Sequence, residues 1–460
     1  MNPAWLTPLH PHAGPRYLQI ADMLEQAITS GSLRPGERLP AQRKLAELLR
    51  IDLTTVTRAL NEAHRRQLID ARGPLGTFVA HPKVELAPRM DLSMNIPPPP
   101  ADMAFDTLLK DGIARVLARS NADLLMTYQV GGGSAPDRAA AAQWLQPALG
   151  SVEDERLVVC PGAQAALAAL LLCSTEPGDV ILTEPLIYPG LPLIAAQLGR
   201  RIETVEVDAD GMRPQALQAA CKAHKAPLVY LNPTLQNPTA ATMPEARRLE
   251  IVEMAARCGA RIIEDDPYWR FDEHAPPPLA RLMPERIYYL STLSKCLSPG
   301  LRTAFLALPE AGVREKFLSA LRSISLMSAP LMNALATQWI YDGTATRLLE
   351  GIKAESQSRQ RLAADILPGR LAGASHRGIH IWQILPGYWA SQDLTAAALR
   401  EGLVVAPSRA FHADASNAVR TDAIRISLGG GASQAELAGA LRKLANMLLH
   451  RPANDLSIVV

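Results

Sequence analysis

The sequence predicts two folded parts of different class: a mainly α unit closed by a short β wing over residues 1–80, and an α/β domain with a mainly parallel sheet over residues 105–455. Three observations predict this. Helical periodicity near the N-terminus gives way to short apolar runs around glycine. A proline-rich stretch over residues 81–104 keeps neither a helical nor a strand period. Beyond it, strand-like runs alternate with longer helical patterns, the signature of a sheet whose strands are joined by helices.

In the first part, Ile20, Met23, Leu24, Ala27 and Ile28 repeat at helical spacing, and Gly31 stands where a helix end favours glycine. After the turn LRPGERLP, Leu45, Ala46 and Leu49 mark a second short helix. Val56, Ala59, Leu60 and Ala63 mark a third, with Asp52 placed to cap its N-terminus. The segment LIDARGPLGTFVA then reads as a two-stranded hairpin. The stretch 81–104, ending near IPPPP, is expected to be an extended, semi-rigid linker. In the second part, the runs VVC, VILT, PLVYL, RIIE and RIYYLS are the expected strands.

The 460 residues exceed what one hydrophobic core usually serves, and 48% hydrophobic with 20% charged residues is a globular composition. The longest apolar stretch, near Ala165–Cys173, falls well short of the roughly 20 residues a membrane helix needs. No basic segment followed by an apolar one opens the chain, so a cytoplasmic location is expected. The five cysteines are far apart and form no CxxC pair, which argues against a disulfide framework or a zinc site; no metal is expected. With a net charge of only +2, nucleic-acid binding has to rest on local features. Residues 1–82 carry ten basic against seven acidic side chains, a modest excess.

The PG-x-RLP turn, R-x-LA in the second helix, TTV in the third and GTFV in the hairpin occur in the order found in the winged helix-turn-helix of GntR-family regulators, which residues 17–80 resemble. The resemblance implies double-stranded operator DNA as partner, with the third helix in the major groove. It places Arg43 and Lys44 at the start of helix two and Thr54, Thr55, Thr57 and Arg58 on or beside the groove-facing surface of helix three. Hydroxyls and amides there position the protein on phosphate, while arginine can read guanine. Gly76 would let the wing come close to the minor groove. Leu53 stands where many relatives have arginine, so base readout is expected to differ.

The string STLSKCLSPGLRTAF resembles the Schiff-base lysine motif of type I pyridoxal phosphate enzymes. The resemblance implies pyridoxal 5'-phosphate as cofactor, Lys295 as the catalytic lysine bonded to it, and Arg302, Thr292 and Ser294 as phosphate ligands. It also implies Ala163 and Gln164 at a phosphate-binding helix N-terminus, Tyr188 stacked on the ring, and Asn237 and Tyr268 at the phenolic oxygen. Asp265 is expected at the pyridine nitrogen, with Asp266 the competing candidate. Tyr128 would reach the cofactor of a neighbouring subunit in a homodimer, and Arg425 would clamp the carboxylate of an amino-acid substrate or effector. Ala163 replaces a common serine and Ala240 a common glycine.

The two parts together resemble the MocR subfamily of GntR-type regulators, which implies a type I aminotransferase-like fold with a smaller C-terminal α/β subdomain. The implied function is transcription regulation that senses pyridoxal phosphate, or an amino acid or amine, through aldimine formation. The alternative is a working aminotransferase with an incidental N-terminal domain; a third reading makes the large domain a mere dimerisation scaffold.

Overall fold

The structure, a computed structural model, describes residues 5–9, 14–66, 68–71, 73, 76–80, 90–369, 371–372, 377–414 and 422–451, in two compact units that divide after Pro88.

In the first unit, helix α1 (Arg16–Thr29) buries Ile20, Ala21, Met23, Leu24 and Ala27, the stripe its spacing predicts. Helix α2 (Gln42–Leu49) ends on Arg50 in the left-handed conformation, φ 54°, which turns the chain into α3 (Leu53–Arg65). Asp52 caps α3 by accepting the Thr55 amide at 2.8 Å, satisfying one of the N–H groups a helix start leaves open. Val56, Ala59, Leu60 and Ala63 are buried against α1, with Leu33 and Leu39 completing the core. Strands β1 (Ile69–Ala71) and β2 (Thr77–Val79) form the expected wing, paired antiparallel with Ile69 opposite Val79.

The second unit is built on a seven-stranded sheet. After the short strand β3 (Met90–Asp91) come β4 (Leu157–Cys160), helix α4 (Ala163–Ser174), β5 (Val180–Thr183), β6 (Arg201–Thr204), β7 (Leu228–Leu231), β8 (Arg261–Asp265), β9 (Ile287–Thr292), the one-turn helix α5 (Leu293–Cys296) and β10 (Ala304–Ala307). The strand order is β4-β10-β9-β8-β7-β5-β6, and only β10 runs antiparallel to its neighbours. Its central strands are buried on both faces: Val229 and Ile262 join one core cluster, Tyr230 and Ile263 the other. That double burial is why these strands read as continuous apolar runs. The runs predicted as strands all fall on strands; β10 and the edge strand β6 were not singled out by the sequence pattern.

A smaller sheet follows, made of β11 (Leu371–Ala372), β12 (His380–Ile384), β14 (Ala406–Pro407) and β15 (Ala423–Ser427) in the antiparallel order β11-β12-β15-β14, while β13 (Leu403–Val404) pairs with β3. No helix among the described residues is long and apolar enough to cross a membrane.

One expectation needs correction. The linker reading extended to Ala104, and its residues 81–89 lie outside the described residues; residues 90–104 belong to the second unit. Met90–Asp91 pairs in parallel with Leu403–Val404, and the Leu92 carbonyl accepts the Ser427 amide at 2.7 Å. Gly429 and Gly430 make the close approach possible, since a Cβ on either would fall 2.0 Å from the carbonyl oxygen of Ile96 or Asp91. Pro98 and Pro100 are buried. Proline erases the periodic signal but not the ability to pack, so sequence period alone could not detect this seat.

Candidate functional site

In sheets of mostly parallel strands, ligands gather beyond the carboxyl ends of the strands, and several of the predicted residues of the second unit fall there. Asp265 ends β8, Thr292 ends β9, Lys295 follows on α5, and Gly162 leads from β4 into α4. Thr292 and Ser294 are buried, and the Thr292 hydroxyl donates to the Thr303 carbonyl at 3.2 Å.

Lys295 is half-buried and its amine donates to the Asn95 carbonyl at 2.5 Å. Burial first, then the positive charge of Arg425 and that of Arg302, lower its pKa to about 8 against the opposing pull of Asp265. An amine near that value holds a sizeable neutral fraction at pH 7–8, as a nucleophile must.

Asp265 and Asp266 diverge. Asp265 accepts the Tyr230 hydroxyl at 2.7 Å and feels the Lys295 charge; burial raises its pKa to about 6, while the Tyr230 bond and Lys295 restrain the rise. Asp266 accepts the Trp269 amide at 3.1 Å and faces Tyr289, Thr234 and the charge of Arg248. Of the two carboxylates, Asp265 is the one directed at the lysine.

Arg425, on β15, is buried; one guanidinium nitrogen donates to Asn237 Oδ1 at 2.6 Å, another to the Ser93 carbonyl, and its Nε has no partner among the described residues. The Tyr268 hydroxyl accepts the Asn95 amide at 2.7 Å. Tyr188, half-buried, donates its hydroxyl to Gln164 Oε1 at 2.6 Å.

At the start of α4, Gly162 has φ 92°, and a Cβ there would lie 2.5 Å from an Arg302 guanidinium nitrogen. The exposed Arg302 guanidinium has no hydrogen bond or ion pair among the described residues, and beside it lie the amides of Ala163 and Gln164, which a first helical turn leaves unpaired. Bare backbone, helix N-terminus and unpaired guanidinium together form a cradle whose chemistry fits a phosphate. The donor set therefore fits the cofactor that the motif implies.

Tyr128 stands apart from this cluster, 78% exposed, with Leu124 and Met126 exposed nearby. Conversely, sequence reasoning missed Ser93, Asn95, Tyr230 and His380. Buried His380 donates from Nε2 to the Gln236 carbonyl at 3.2 Å, so its Nδ1 accepts from Asn95 at 3.0 Å; burial and then Arg425 lower its pKa to about 3 and keep it neutral. A tyrosine in the otherwise aliphatic run LVYL was the available signal for Tyr230. Ser93 and Asn95 lie in the proline-rich stretch whose composition predicts a linker.

In the first unit, Arg43 is exposed and has no hydrogen bond or ion pair among the described residues, whereas Lys44 pairs with Glu47 at 2.9 Å. The Thr54 and Thr55 hydroxyls both donate to the Asp52 carboxylate; those bonds and the Thr55 amide hold its pKa well below the usual carboxylate range. Thr57 donates to Gln42 at 3.1 Å, bracing α3 against α2. The Arg58 guanidinium lies 4.5 Å from the centre of the Tyr17 ring. At Gly76, φ 108°, a Cβ would meet the Arg38 side chain at 2.9 Å, so within this unit the glycine makes room for Arg38.

Comparison with known proteins agrees with this two-part architecture. Residues 89–444 match the family model for aminotransferase class I and II, and residues 16–79 match that for bacterial regulatory proteins of the gntR family. The chain is 27% identical to the HTH-type transcriptional regulator YdeF of Bacillus subtilis over 99% of its length and 98% of that protein. It is 28% identical to the HTH-type pyridoxine biosynthesis transcriptional regulator PdxR of Corynebacterium glutamicum, covering 79% of this chain and 81% of that one. Among solved structures, the α-aminoadipate aminotransferase LysN of Thermus thermophilus, complexed with N-(5'-phosphopyridoxyl)-L-leucine, superposes with a TM-score of 0.69 at 24% identity, covering 78% of this chain and 92% of that one, a likeness of fold. The chain thus belongs to the aminotransferase class I and II family and carries a gntR-family domain ahead of it, the architecture of the MocR subfamily.

Proposed function

We propose that the protein is a cytoplasmic, pyridoxal phosphate-dependent DNA-binding transcription regulator in which the aminotransferase-like domain senses the cofactor, or an amino acid or amine. The observation that carries this reading is the union in one chain of a gntR-family domain with Lys295, Asp265 and Arg425 gathered at one site. A scaffold for dimerisation alone would need none of those three side chains.

When bound, pyridoxal phosphate supplies an aldehyde carbon that a primary amine can attack and a ring that withdraws electrons. Lys295 presents the amine, lowered toward neutrality by burial. Asp265 would hold the proton on the ring nitrogen, and Tyr230 restrains that carboxylate by hydrogen bonding. Arg302 and the amides of Ala163 and Gln164, with Thr292 and Ser294 nearby, would hold the phosphate. Tyr188 would cover the ring face, and Tyr268 and Asn237 would meet its phenolic oxygen. Arg425, oriented by Asn237, would bind an effector's carboxylate in fork geometry. The exposed Leu124, Met126 and Tyr128 suit a homodimer face, with Tyr128 completing a neighbour's site.

On the DNA side, Arg43, Lys44 and Arg58 would supply cationic contacts, with Thr54, Thr55 and Thr57 near the phosphates and Gly76 in the wing. The test is operator affinity measured without cofactor, with pyridoxal phosphate, and with cofactor plus candidate amines, for wild type and Lys295→Ala. Borohydride reduction and peptide mapping should place the cofactor on Lys295. Affinity unchanged across all conditions at confirmed occupancy rejects sensing of those ligands. Sustained amine transfer to a keto acid without specific DNA binding would favour the aminotransferase reading.

A further inference from the structure

Within the second unit lies a cavity of about 570 Å³ to which Lys295, Asp265, Tyr268 and Arg425 contribute nothing. Its apolar wall comes from Leu186, Val205, Ala241 and Met243, and its size falls within the range of sites for small organic ligands. Five carboxylates line it, whereas no lysine or arginine is among its described lining residues.

Those carboxylates are not equivalent. Glu206 pairs with Arg213 at 2.7 Å, and Asp208 with Arg247 at 2.9 Å, both from outside the lining. Asp210 reaches the same Arg247 at 3.9 Å. Glu184 has no ion pair among the described residues: Oε1 accepts the Met212 amide at 3.1 Å, and Oε2 accepts the Gln236 side-chain amide at 3.5 Å. Burial pushes its pKa up to about 7, the response of a half-buried carboxylate with no counter-charge among the described residues. Each oxygen keeps acceptor capacity for a planar cation that approaches both together.

We propose that this cavity is a second small-molecule site, taking an organic cation with an apolar body whose charged head pairs with Glu184. The apolar wall receives the body, and the bound cation supplies the counter-charge that Glu184 lacks among the described residues. Such a ligand binds without any bond to Lys295, so the proposal stands independently of the regulatory reading.

The probe is benzamidine, an amidinium on an aromatic ring, titrated calorimetrically into the full-length protein saturated with pyridoxal phosphate. The expected result is saturable binding that weakens at least tenfold in Glu184→Gln. Benzamide, the same shape without the charge, should also bind at least tenfold more weakly. Ala241→Phe, which puts a bulky ring on the cavity's apolar wall and leaves the Glu184 side chain itself unaltered, should abolish binding while the cofactor absorbance stays unchanged. Absence of benzamidine binding, equal affinity for benzamide, or full affinity in Ala241→Phe would each overturn the proposal. The last two outcomes remain decisive even if Glu184→Gln does not fold.

Discussion

The Tyr230 hydroxyl donates to the Asp265 carboxylate at 2.7 Å, at the carboxyl end of two neighbouring parallel strands. Burial pushes Asp265 toward its neutral form and this bond pushes it back, so the Asp265 charge depends on a tyrosine that the sequence motif did not include. Tyr230→Phe should raise the Asp265 pKa further and leave less carboxylate at pH 7. A hydrogen bond to a charged group is worth about 1.5–3 kcal/mol, so pyridoxal phosphate should bind about tenfold more weakly at pH 7. The defect should shrink at pH 8.5, where Asp265 ionises again. Equilibrium dialysis at the two pH values checks both the loss and its recovery.

Arg43 is an exposed cation of α2 that no carboxylate among the described residues engages, in contrast to Lys44. Arg43→Ala should weaken operator binding and reduce the salt dependence by about 0.9 in log–log slope, the loss of one phosphate contact. The cofactor spectrum should not change. Fluorescence anisotropy over a salt series gives the slope directly, and an unaltered slope would remove Arg43 from the DNA interface.

Gly430→Ala would place a methyl group 2.0 Å from the Asp91 carbonyl oxygen, a backbone atom with little room to yield. Overpacking of this kind typically costs about 1–3 kcal/mol. Hydrogen exchange should accelerate over residues 90–97 well before it does in the central strands. Unchanged protection of that segment would contradict its close seating.

Burial pushes the Glu184 pKa up to about 7 in the folded protein, against an ordinary value of 4.5. The folded protein therefore retains a proton that the unfolded chain releases, and this group's contribution to stability falls as pH rises from about 4.5 to about 7. Glu184→Gln cannot lose that proton. The melting temperature of the variant relative to wild type should accordingly rise across this interval, measured on cofactor-free protein.

Much of this architecture was legible in the sequence because the signals were local. The stripe on α1, the Asp52 cap and the run preceding Asp265 each depend on residues close together in the chain. What escaped detection depends on distant partners. Asn95 meets Lys295, Tyr268 and His380, residues 173 to 285 positions away, and no short window contains that information. The cavity at Glu184 was invisible for the same reason: strands and loops from four separate stretches surround it. Asp265 and Asp266 are neighbours in the sequence, and only the fold separates their surroundings: Asp265 accepts the Tyr230 hydroxyl and feels the Lys295 charge, whereas Asp266 faces the charge of Arg248.

The seat of residues 90–97 also decides where the gene can be cut. An effector fragment begun at Phe105, where the regular pattern of the large domain starts, would be born without Ser93 and Asn95, whose carbonyls occupy Arg425 and Lys295. It would also leave Gly429 and Gly430 facing solvent in place of a backbone partner. Such a fragment, if it failed to take up cofactor, would wrongly suggest that the DNA reader is needed for sensing. A fair dissection begins upstream of codon 90.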